Sequence, residues 1–100
     1  MGFGATLTDD QSELQMVIEG RFDFKLHSDF RDAYRDLPAR TRFVIDLGKT
    51  TFMDSSAMGM LLLLREHAGE TQADIRLRNC SPEVLRVLKM SNLDKIFTIE

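Results

Sequence analysis

The chain is 100 residues long, 43% hydrophobic, and carries a formal net charge of −3 at pH 7. That length suits one compact core and is too short for a catalytic domain beside a regulatory one, so a single domain over residues 1–100 is expected. An acidic balance with no basic stripe and no basic-aromatic alternation argues against a nucleic-acid footprint and points to protein partners.

Residues 1–5 carry no pattern, and a first strand is expected to begin near Thr6, turning through Asp9-Asp10-Gln11 into a hairpin. From 13 to 19, Leu14, Met16 and Ile18 alternate with Gln15, Val17 and Glu19, the period of two of a half-buried strand that Gly20 ends. Ser28 reads as an N-cap, followed by Phe30, Ala33, Tyr34 and Leu37 at i, i+3, i+4 and i+7 with charges between them, an amphipathic helix closed by Pro38. The apolar run 43–47 is a strand, and 48–51 reads as a loop. A helix is predicted from about 56 to 68 with Gly69 at its C-terminal end, then a strand at 75–79. Ser81-Pro82 reads as N-cap and first-turn proline of a helix through about residue 90, and 96–99 as a last strand. The order β-β-α-β-α-β-α-β implies an α/β fold, a mixed β-sheet with parallel pairs covered by helices.

The most informative segment is Thr51-Phe52-Met53-Asp54-Ser55-Ser56-Ala57-Met58-Gly59-Met60, which sets two hydroxyls at a junction before an apolar helix. Asp54 and Ser55 are both good N-cap types, and the unpaired N–H groups and positive dipole end beyond them would stabilise a phosphoryl group on Ser55. Capping alone would also account for Asp54, Ser55 and Ser56. Gly59, four residues after Ser55 and three after Ser56, leaves their face bare. A mid-helix glycine costs about 1 kcal/mol against alanine, so either close packing on the sheet or close approach of a partner should offset it.

Phe52-Met53-Asp54-Ser55-Ser56 with Gly59 resembles the phosphoacceptor segment of STAS-domain anti-sigma factor antagonists (anti-anti-sigma factors), the switch proteins of bacterial partner switching. Gly20-Arg21-Phe22-Asp23 resembles the family's Gly-x-hydrophobic-Asp at the end of an early strand, and Asn79-Cys80-Ser81-Pro82-Glu83-Val84 its last strand-to-helix junction. Ala57 departs from the pattern, standing where the family commonly has glycine. The resemblance implies a STAS-like single domain whose phosphorylated residue is the serine directly after the aspartate, Ser55. It implies a non-enzymatic switch that sequesters an anti-sigma factor or serine kinase, or a related output protein, while Ser55 is unphosphorylated. The kinase would use ATP, a metal-dependent serine phosphatase would restore the serine, and the chain itself would need no cofactor. The same fold as a scaffold subunit of a membrane transport complex, set against an ATPase and not switched, is the second function the resemblance leaves open.

Along the helix after the serines, Ala57, Met58, Leu61, Leu64, Arg65 and Ala68 form one face, expected to belong to the core. Met60, Leu63 and His67 form a second that follows Ser56 and Gly59, and Met53, Met58, Met60 and Leu63 are the candidate partner-binding residues, methionine being suited to repacking against different partners. Asp23 joins them because the resemblance places its loop beside the phosphoacceptor, although a turn-stabilising Asx role also fits. Catalytic chemistry finds no support: His27, His67 and Cys80 lack metal-ligand spacing, and neither serine has the glycine two residues before it that a nucleophile elbow needs. A lone cysteine permits no internal disulfide, no basic n-region or apolar h-region opens the chain, and the run 60–64 falls far short of the roughly 20 residues of a membrane span. No direct membrane insertion and a cytoplasmic location are therefore expected.

Overall fold

A computed structural model describes residues 2–100. Strands β1 (Phe3–Leu7), β2 (Glu13–Ile18), β4 (Arg42–Asp46), β6 (Ile75–Arg78) and β7 (Thr98–Ile99) form one sheet in the order β1-β2-β4-β6-β7. Only β1 runs antiparallel to its neighbour, and the other pairs are parallel. Two shorter strands, β3 (Gly20–Phe22) and β5 (Thr50–Met53), pair in parallel as a separate ribbon. Helices α1 (His27–Tyr34), α2 (Ser55–His67) and α3 (Pro82–Met90) follow β3, β5 and β6.

The in-register rows Leu14-Phe43-Ile75 and Met16-Ile45-Leu77 place one face of β2, β4 and β6 under the helices. Phe30 and Tyr34 of α1, Ala57, Leu61 and Leu64 of α2, and Val84 and Leu88 of α3 pack into the same cluster. The aromatic side chains continue one another, Phe22 on Phe30 at 5.6 Å, Phe30 on Tyr34 at 5.8 Å and Tyr34 on Phe43 at 6.3 Å between centroids. Val44 is also buried but lies outside that cluster, on the opposite face. That face carries an ion-pair ladder instead of helices: Arg42 to Asp74 at 3.0 Å, Asp74 to Arg76 at 3.1 Å, and Arg76 and Arg78 to Glu100 at 3.2 and 3.0 Å.

The eight expected elements are present in their expected order, with β3 and β5 added. The segment 48–51, expected as a loop, enters β5 at Thr50. The sequence pattern hides this strand because four residues are too few for a period, and its partner β3 is some 30 positions away. The buried Thr50 hydroxyl donates to the carbonyl of Ile18 at 2.9 Å, and the Gly20 amide donates to the carbonyl of Lys49 at 2.9 Å, joining the ribbon to the end of β2. Gly20, at φ +82°, makes the bend between β2 and β3, a conformation that favours glycine.

Residues 3–5, expected to carry no structure, are in β1, where Phe3 meets the Phe30 ring at 6.1 Å. Ser28 is not the cap of α1: a 3₁₀ turn, Phe24–Leu26, runs straight into the helix, and the capping carboxylate is that of Asp23, which accepts from the Lys25 amide at 3.1 Å. Helix α1 stops at Tyr34, short of Leu37. Gly69 at φ +98° follows α2, and Ser81 caps α3 by accepting from the Val84 amide at 3.2 Å, both as expected.

Candidate functional site

The chain leaves β5 at Asp54, which has extended backbone and caps α2: its carboxylate accepts from the Ala57 amide at 3.1 Å and from the Ser56 hydroxyl at 2.7 Å. These bonds, the Ser56 hydroxyl first and the Ala57 amide second, hold the Asp54 carboxyl below its ordinary range, so the group is a carboxylate near neutral pH. Of the two N-cap types in the sequence, Asp54 takes the cap and Ser55 becomes the first helical residue. The two serines are thereby separated in kind. Ser56 is half-buried and its hydroxyl is engaged, whereas Ser55 is exposed and its hydroxyl enters no hydrogen bond among the described residues.

The ribbon brings Asp23, the other aspartate of the resemblance, alongside. Phe22 pairs with Met53, so Asp23 and Asp54 leave the same end of two parallel strands as the next residue of each. Asp23 accepts from the Lys25 amide and pairs with Arg21 at 3.3 Å, and Arg21 in turn lies over the Phe52 ring at 4.0 Å. The Asx-type role is thus present.

Beside Ser56 a groove of about 480 Å³ runs between the 3₁₀ turn and α2, walled by Phe24, Leu62 and Leu63 with Gly59 and Met60 at its base. Phe24 is 67% exposed, Leu63 49% and Leu62 43%. A β-carbon built on Gly59 meets no atom within 4 Å, so the glycine is not there to let the helix approach the sheet; it keeps the groove open. Met53 and Met60, expected on a partner surface, are 6% and 4% exposed and belong to the core, because β5 and α2 turn these two side chains inward. Met58 is half-buried against the core. Leu63 is the only one of these four apolar candidates left largely free, and Leu62 and Phe24 join it. Neither was legible as surface: Leu62 sits inside an unbroken leucine run, and Phe24 belongs to no periodic segment.

His67 is tied into the fold, its Nε2 2.8 Å from the Leu37 carbonyl and its ring against Tyr34 at 5.1 Å. Among the described residues, no group of three or more histidine, cysteine or acidic side chains is placed to hold a metal, and no helix is long and apolar enough to cross a membrane.

The family model described as "Mlab, STAS domain" matches residues 5–99. The chain belongs to the STAS-domain family. It is 51% identical over 100 residues to a STAS-domain containing protein of Pseudomonas aeruginosa (strain UCBPP-PA14), covering 99% of both chains. Its fold is similar to that of a putative anti-sigma factor antagonist from Thermotoga maritima, with a TM-score of 0.79 at 19% identity over 97% of this chain and 84% of the other. It is similar as well to that of a sulfate transporter family protein from Wolinella succinogenes, with a TM-score of 0.71 at 14% identity over 93% and 80%.

Gly59→Ala separates the two explanations of that residue. Open space around its β-carbon and a helical backbone mean that alanine should stabilise α2 by about 0.5–1 kcal/mol. If a partner enters the groove, the same methyl group should weaken binding. A thermal melt beside a binding titration checks both signs, and a Gly59→Ala variant that is both less stable and unimpaired in binding contradicts this reading.

Proposed function

We propose that the protein is a phosphorylation-controlled binding switch, an anti-anti-sigma factor that sequesters an anti-sigma factor or serine kinase, or a related output partner, while Ser55 is unphosphorylated. One observation carries the proposal: Ser55 stands exposed at the first turn of α2, its hydroxyl unengaged among the described residues, directly after the carboxylate cap and one residue before Ser56 on the lining of an apolar groove. Phosphorylation places about −1.5 to −2 charges there, next to Asp54. At the helix start those charges are tolerated by the dipole, so the fold survives. Inside an apolar contact they must be desolvated, so the partner is released. A serine kinase using ATP and a serine phosphatase would set the two states, and the switch would work in the cytoplasm. The likeness to an anti-sigma factor antagonist supports the fold on which this reading rests.

Ser55, rather than Ser56, is the expected phosphoacceptor, because the Ser56 hydroxyl is occupied by Asp54. Mapping the phosphopeptides of protein purified from cells tests this. Phosphate chiefly on Ser56 with Ser55 unmodified overturns the site assignment, and the absence of phosphate under every growth condition favours the unswitched scaffold.

A further inference from the structure

The two edges of the main sheet are built differently. One ends in β7, only two residues long and followed by the ion-paired Glu100. The other is β1, five residues of sequence Phe-Gly-Ala-Thr-Leu with no charge, no proline and an unbroken register against β2. Edge strands ordinarily carry a charge, a proline or a bulge that prevents pairing with another chain, and β1 has none of these.

The direction of its backbone groups follows from the ladder. Thr8 donates to the Glu13 carbonyl at 2.9 Å and Glu19 to the Gly2 carbonyl at 2.8 Å, which makes the even-numbered residues of β1 the hydrogen-bonded partners of β2. Phe3, Ala5 and Leu7 therefore turn their amides and carbonyls outward, away from the sheet. These groups are self-complementary about Ala5. An antiparallel pair of β1 strands with Ala5 opposite Ala5 sets Phe3 against Leu7 twice, closing three residue pairs with two hydrogen bonds each. Phe3 and Leu7 are only half-buried, so each would cover apolar surface of the other, and the small exposed Ala5 leaves the two-fold axis unobstructed.

We propose that β1 is a self-pairing edge through which two copies of this chain join antiparallel about Ala5, making one continuous sheet. The strand lies outside the phosphoacceptor helix, so the dimer stands or falls independently of the switch. With one short strand from each side the interface is small, and the association should be weak and concentration-dependent.

Sedimentation velocity over a concentration series is the test. The wild type should shift from monomer to dimer as concentration rises. Ala5→Pro removes an amide that points outward and spares the β2 ladder, so it should fold and remain monomeric. Ala5→Lys and Ala5→Glu each set like charges at the axis and should each be monomeric, while an equimolar mixture of the two should dimerise. Should Ala5→Pro fail to fold, the charged pair decides the matter. A wild type that is monomeric at every concentration overturns the proposal, as does dimerisation of Ala5→Lys alone at wild-type concentrations or a mixture that stays monomeric.

Discussion

Leu61→Ala is expected to destabilise the protein by about 2–5 kcal/mol, whereas Leu63→Ala, two residues further along the same helix, should cost less than about 1 kcal/mol. Leu61 is fully buried against the sheet, so its truncation leaves a cavity with no room to relax; Leu63 is 49% exposed, so water already wets the atoms that are lost. For a domain of this size each kcal/mol moves Tm by about 4–8 °C, which makes the contrast easy to read in a thermal melt. Binding should show the reverse order. A leucine on the wall of the groove contributes to affinity by being covered, and its truncation should cost the complex more than it costs the fold. A Leu63→Ala variant that unfolds as readily as Leu61→Ala would place the ridge in the core and remove the proposed partner surface.

Ser55→Asp should lower affinity for the partner of the unphosphorylated state by at least about tenfold, equivalent to 1.4 kcal/mol, with folding stability within about 1 kcal/mol of wild type. The carboxylate arrives at the first helical residue, where the dipole favours it, and beside the Asp54 carboxylate, whose cap bonds it leaves in place. A single carboxylate has less charge than a phosphate and lacks its three acceptor oxygens, so the imitation should be partial. Melts and titrations of wild type, Ser55→Ala and Ser55→Asp measure the two effects separately. If Ser55→Asp binds as tightly as Ser55→Ala, charge at this position does not drive release.

The periodic segments could be read without the fold. Alternation in β2, the Phe30 and Tyr34 spacing in α1 and the Ser81-Pro82 start of α3 each express a local rule, with the deciding residues within a few positions of one another. Helix α2 was harder because it is apolar almost all round, and a helix of that kind does not announce which side faces the sheet. Its orientation came from packing, which buried Met60 and exposed Leu62. The ribbon of β3 and β5 is the clearest tertiary decision, since Arg21 is paired with Phe52 and Phe22 with Met53 across some 30 residues that no local window spans.

At the site, the order Asp54-Ser55-Ser56 before a helix was already enough to mark an anion-tolerant start with two hydroxyls, because capping preferences act over three residues. Which hydroxyl stays free was a different matter. Asp54 can accept from Ser56 only once β5 delivers it in extended backbone at the head of α2, and that single 2.7 Å bond leaves Ser55 alone in the open. The groove depends on still longer separations: Phe24 comes to stand across from Leu63 because Asp23 winds a 3₁₀ turn ahead of α1 while the sheet holds α1 against α2. Composition and local pattern determined the class of fold and the segment that carries the chemistry, since both rest on short-range backbone and hydrophobic preferences; the strand that delivers Asp54 to the head of α2 and the apolar wall beside Ser56 were decided by contacts between residues far apart in the chain, which only the packed sheet and helices bring within reach.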